Sequence, residues 1–212
     1  MLDLNAVIRH LGPRAVEQSL QEADNDDIAI TAIRDQGVSN RVQKVRKWLD
    51  SYNVLQGLTG ERRETVAAAV VAWADQRGHD STLDTVDAII KAHANLEAAC
   101  SQADVKNRNF IFIASKALWL RYPTVVPLYD SFVQNVLWMI SKVDPGPPAV
   151  PQNSTLYATF VLHWKNLYDR YGDTIAAINA HGYPYSVRIL DRILWLLGKR
   201  SYGPDANRRI RS

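Results

Sequence analysis

Apolar residues recur at spacings of three and four along nearly the whole chain, and alternating apolar–polar runs are scarce. This periodicity argues against a sheet-based core and predicts an all-α fold. Candidate helices run over Arg14–Ala23, Asp27–Asp35, Asn40–Tyr52, Glu61–Arg77 and Leu83–Ala103, then Asn107–Arg121, Ser131–Ser141, Thr155–Tyr171, Thr174–Ala180 and Ser186–Leu197. Gly12-Pro13, Gly37, Gly57, Gly60, Gly78, Pro123, Gly172 and Gly182 fall between them as breakers. Roughly nine or ten segments of unequal length predict an irregular multi-helix globule, not a simple bundle. The proline-rich stretch Val143–Gln152 reads as a long surface connection.

A chain of 212 residues that is 47% hydrophobic can bury a substantial core. Residues 1–200 read as a single all-helical domain and 201–212 as a basic C-terminal tail. The net charge is only +3, but it is unevenly spread: residues 1–36 hold three Arg against seven Asp or Glu, a net of −4, which leaves +7 on the rest. An acidic N-terminal lobe on a basic body suits a polyanion approaching one side. The single cysteine, Cys100, excludes an intrachain disulfide and a four-Cys cluster. The histidines (10, 79, 93, 163 and 181) show no metal-ligand spacing, and neither phosphate-loop glycine pattern occurs, so no cofactor is expected. The longest uncharged stretch, Pro145–Trp164, contains four prolines and cannot form a spanning helix. No membrane partner and a cytoplasmic location are the corresponding expectations.

The most informative segment is Asn107–Leu137. Its apolar run Phe110–Leu120 surrounds the helix axis, which is the pattern of a buried helix. Lys116 lies in the middle of that run. Burial disfavours an ammonium, so its pKa should fall, and a lysine with a lowered pKa is a usable nucleophile. The same pattern also suits a lysine that packs its stem and extends its head to water. Pro123 then ends the helix, Thr124–Tyr129 should be extended, and Asp130 stands directly before the next helical pattern. Asp130 is therefore an N-cap candidate, whose carboxylate the helix dipole should keep ionised.

A lysine in a buried helix, a proline-bounded turn and a capping aspartate together resemble the helix-hairpin-helix DNA glycosylase superfamily. The residues that carry the likeness are Ala114-Ser115-Lys116-Ala117 and Pro127-Leu128-Tyr129-Asp130-Ser131-Phe132-Val133. The likeness is nearest to prokaryotic proteins of the oxoguanine-glycosylase fold, some of which belong to antiviral defence. A later segment, Tyr185–Trp195, is also similar to theirs. The superfamily's Leu-Pro-Gly-x-Gly turn is replaced here by Phe110-Ile111-Phe112-Ile113-Ala114. The interval from Lys116 to Asp130 is also about one helical turn shorter than in better-known members.

The resemblance implies double-stranded DNA as partner and cleavage of an N-glycosidic bond to leave an abasic site. Asp130 would stabilise the positive charge that develops on the sugar. Lys116, if deprotonated and within reach, would form a Schiff base and cut the strand; otherwise water attacks. Reaching the base requires flipping it into a flat-walled pocket. Tyr129, Trp119, Trp164 and Arg188 are the candidates to line that pocket, and the same aromatics at helical spacing also suit a core. Lys44, Arg46 and Lys47 near Trp48, together with Ser115, are candidates for the DNA backbone. A hypermodified base in phage DNA is the first substrate expectation and host base-excision repair the second. A non-catalytic module that binds DNA or a protein partner is the rival.

Overall fold

The computed structural model describes residues 3–77, 82–103, 109–143, 155–179 and 182–202. Among them are eight helices and no strand: α1 (Leu4–Arg34), α2 (Arg41–Ser51), α3 (Gly60–Gln76), α4 (Val86–Ala103), α5 (Ile111–Arg121), α6 (Ser131–Val143), α7 (Leu156–Ile178) and α8 (Ser186–Tyr202). The all-α expectation holds. Residues 144–152 of the expected proline-rich connection and 203–212 of the expected basic tail lie outside the described residues.

The contacts divide the chain into two compact units. A terminal unit comprises Met1–Gln21 and Pro127–Ser212, and a central unit comprises Glu22–Val126. In the central unit α5 packs against α2, α3 and α4; in the terminal unit α6, α7 and α8 pack against one another. Helix α1 supplies its first part to the terminal unit and its last part to the central one.

Three expected breaks do not occur. Helix α1 runs through Gly12-Pro13 and on through 24–26, joining two candidate helices, and α7 runs through Gly172. A glycine costs a helix about 1 kcal/mol and an interior proline about 3 kcal/mol, which burial on one face repays. Leu4, Ile8, Leu11, Ala15 and Ser19 are all buried, at spacings that keep their stripe in phase across Pro13. In α7 the buried residues Tyr157, Phe160, Val161, Trp164 and Leu167 are followed in phase by Ile175. Helix α8 likewise continues past Gly198.

Gly198 is where α8 meets the first turn of α6. A Cβ built there would lie 2.6 Å from the backbone oxygen of Phe132 and 2.9 Å from its carbonyl carbon. Backbone cannot swing aside, so Gly198→Ala should overpack the contact. The expected loss is about 1–2 kcal/mol net of the helix propensity that alanine adds, read from urea unfolding. Gly12→Ala is the contrasting case. The three atoms nearest its Cβ all belong to the side chain of Ile178, the first two at 2.7 and 2.8 Å, and that chain can change rotamer. The expected change is under about 1 kcal/mol. Equal losses in the two variants would refute the assignment of Gly198 to a backbone contact.

In the central unit, Arg41 joins three helices. Its guanidinium donates to the carbonyls of Ala32 (2.7 Å) and Ile33 (3.3 Å) in the last turn of α1, where carbonyls lack helical partners. It also takes Asp75 of α3 through two bonds of 2.7 and 3.0 Å. These bonds hold the Asp75 carboxyl below its usual range.

His93 of α4 is also interior. Its Nε2 lies 3.1 Å from the carbonyl oxygen of Ile111, and burial lowers its pKa to about 4. The folded state therefore holds a neutral imidazole, whereas the unfolded chain takes up a proton near pH 6.5. Stability from this group is complete above that value and falls as the pH drops towards 4. The loss approaches about 3 kcal/mol. Urea unfolding at about pH 7 and about pH 4.5 should show the loss, and His93→Leu should flatten it. An unchanged slope in that variant would assign the acid sensitivity elsewhere.

Candidate active site

Asp130 stands at the start of α6, as its position before that helix led us to expect. Its Oδ1 accepts a hydrogen bond of 2.8 Å from the amide of Phe132, and its carbonyl accepts one of 2.9 Å from Gln134. The side chain therefore satisfies one of the free amides of the first turn. The residue is half-buried, and the bond to Phe132 fixes its carboxylate.

Thr124 and Val125, expected to be extended, lie instead in a turn whose Val125 and Val126 amides donate to the Tyr122 carbonyl at 3.2 and 3.1 Å, and the interior holds the residues that lead on to Asp130. The Leu128 amide donates to Oδ2 of Asp191 at 2.9 Å. Asp191 is 4% exposed on α8, one turn from Arg188, also 4% exposed. Tyr129 is buried; its hydroxyl donates to Oε1 of Gln134, and its ring meets Phe160 edge-on at 5.0 Å. Burial, reinforced by the neighbouring Asp130 carboxylate, raises the Tyr129 hydroxyl pKa. The Tyr157 hydroxyl is raised by complete burial and then by the charge of Asp191. Tyr129 is thus anchored at both ends: the ring by Phe160 and the hydroxyl by α6. Trp164 is interior to the same unit and stacks on Tyr168 at 4.9 Å.

Lys116 belongs to the central unit, on α5. Every residue from Ile113 to Arg121 of that helix is buried, and Phe112 is its exposed exception. Lys116 is 4% exposed, so it does not carry its head out to bulk water. Its Nζ lies 5.4 Å from the centre of the Tyr52 ring and 5.9 Å from that of Phe112, a cation–π arrangement. The Ser115 hydroxyl donates to the Phe112 carbonyl at 3.1 Å. Trp119 is fully buried, stacked on Trp48 with 5.6 Å between ring centres. Trp48 in turn donates from Nε1 to Asp26 at 2.7 Å. On α2, Arg46 pairs with Glu64 at 3.2 Å, Lys44 is half-buried and Lys47 is exposed.

Lys116, Trp119, Ser115 and the α2 cations therefore sit in one unit, and Asp130, Tyr129, Trp164 and Arg188 in the other. Sequence reasoning missed the part Asp191 plays in holding the turn. A signal was present: it is the lone carboxylate of α8, flanked by Val187, Leu190 and Leu194, which are all buried. Asp26 carries a similar signal, with Ile30 and Ile33 on its side of α1.

Among the described residues, no group of three or more His, Cys, Asp or Glu is placed to hold a metal ion, and no helix is long and apolar enough to cross a membrane. No family model matches the chain, and neither does any curated protein or solved structure.

Proposed function

We propose that the protein is a DNA glycosylase that removes a modified base, with Asp130 as the carboxylate that stabilises the reacting sugar. The observation that carries this reading is the placement of Asp130. The carboxylate of this half-buried residue is held at a helix start by the Phe132 amide, and the turn before it is held by the buried Asp191. An anion in that setting stabilises an oxocarbenium-like centre without moving during the reaction. The likeness of Ala114–Asp130 to the glycosylase superfamily supplies the substrate class.

Water is the proposed attacking group, leaving an abasic site. Lys116 is enclosed between the rings of Tyr52 and Phe112, so an attack by its amine requires that enclosure to open. That enclosure also favours the second reading, a binding module without chemistry.

The test is incubation with DNA from phages of different base chemistry, then mass analysis of the released bases, with borohydride present in a parallel sample. Release of one modified base with no trapped adduct is the expected result. A trapped adduct that Lys116→Gln abolishes would make the lysine the nucleophile. Stable binding to modified DNA with no base released at any protein concentration would establish the binding module. A base released from host-type oxidised DNA alone would assign the protein to repair.

A further inference from the structure

Helix α8 carries a second arrangement, on a face that is half-buried at Arg192 and Trp195 and exposed at Lys199. Arg192, Trp195 and Lys199 follow one another at spacings of three and four, so they share one face. Both cations lie over the indole, with Arg192 Cζ at 5.8 Å and Lys199 Nζ at 4.7 Å from a ring centre. The Trp195 ring is half-buried and meets Phe132 edge-on at 6.5 Å, and Lys199 is exposed. Phe132 is the residue whose amide holds the Asp130 carboxylate.

We propose that this face is a phosphate clamp for the DNA strand next to the reacting nucleotide, with Arg192 and Lys199 as its two cations. The proposal rests on the glycosylase reading and names how that site holds its substrate. Charge complementarity decides the partner. The only carboxylate of α8, Asp191, is buried, while Lys199 and Arg200 are exposed and Arg192 is half-buried. Helix α6 adds no carboxylate within Ser131–Val143, and the one at its start, Asp130, accepts from the Phe132 amide. A face of this kind attracts a polyanion. It is a poor seat for an apolar protein surface, which would have to desolvate both cations.

The indole has a definite task. Stacking restrains two long side chains that would otherwise lose rotamer freedom on binding. Phe132 supports the indole from the side, and the close approach at Gly198 sets the distance between the two helices. The cations are therefore held beside the turn that presents Asp130.

The experiment measures binding, not base release. The full chain is titrated into a fluorescein-labelled DNA duplex with one unpaired nucleotide, across a series of KCl concentrations. Lys199→Gln and Arg192→Gln should each flatten the plot of log K against log salt by about 0.9, the loss of one phosphate contact. Lys199→Arg should keep the original slope. Trp195→Leu should weaken binding about fivefold by releasing both cations. Thermal melting of each variant establishes that it is folded. Slopes equal to the wild type in both Gln variants would overturn the clamp, as would failure of the wild type to bind at low salt. Base release by a protein whose slope does not respond would refute the clamp alone. A slope that responds, in a protein that releases no modified base, would support the clamp and refute the glycosylase.

Discussion

Asp130→Asn is expected to lower base release about a thousandfold while leaving the unfolding temperature nearly unchanged. The two outcomes separate because one side chain has two tasks that depend on different properties. Capping needs an oxygen that accepts from the Phe132 amide, and Asn supplies one about as well as Asp. Stabilising a cationic sugar needs the negative charge, which Asn lacks. Asp130→Ala removes both. It should match Asn in lost activity but also cost about 1 kcal/mol, a fall of about 3 °C in unfolding temperature. Single-turnover base release and thermal melting, measured on both variants, give the comparison. Full activity in a folded Asn variant would end the proposed mechanism. An inactive Ala variant beside an active Asn variant would reduce Asp130 to a cap.

Asp191→Ala should have the larger effect on stability. It leaves the Leu128 amide buried without its 2.9 Å acceptor, a cost of about 2–3 kcal/mol, since an unmet buried donor forfeits its hydration with no return. The turn from Pro127 to Asp130 then loses its interior anchor. A displacement of the carboxylate by about 1 Å should slow base release about a hundredfold further in the fraction that remains folded. Asp191→Asn keeps an acceptor of nearly the same shape. Its expected cost is about 1 kcal/mol, the difference between a charged and a neutral hydrogen bond. Urea unfolding orders the variants, and rates measured at saturating DNA separate positioning from binding. Equal stabilities for Ala and Asn would mean that Asp191 does not hold the turn.

What was legible in advance was local. Asp130 caps α6 through a bond to a residue two positions on, and Pro123 ends α5 by acting on Tyr122. The buried character of α5 was equally legible, because its apolar residues surround the axis and no register could place them all outside. The breaks at Gly12-Pro13 and Gly172 were misjudged for the complementary reason. Propensity is a local cost of a few kcal/mol, and the stripes that offset it, Leu4 to Ser19 and Tyr157 to Ile175, gain their value only from what packs on them. The basic run of α2 shows the same limit. Arg41 and Arg46 look alike in sequence, yet one ties α1 to α3 through Asp75 and the other pairs with Glu64 at the surface.

The sequence by itself determined the all-helical class, the buried helix around Lys116 and the position of Asp130 at a helix start. Each of these follows from interactions within a few residues, which periodicity, prolines and capping chemistry make visible. Only the tertiary structure decided that Asp191 grips the amide of Leu128, 63 positions earlier, that Lys116 lies over the ring of Tyr52, and that Gly198 lets α8 approach the backbone of Phe132. Those contacts join residues far apart in the chain. A buried polar group must find a partner, but which partner it finds depends on where packing puts the helices.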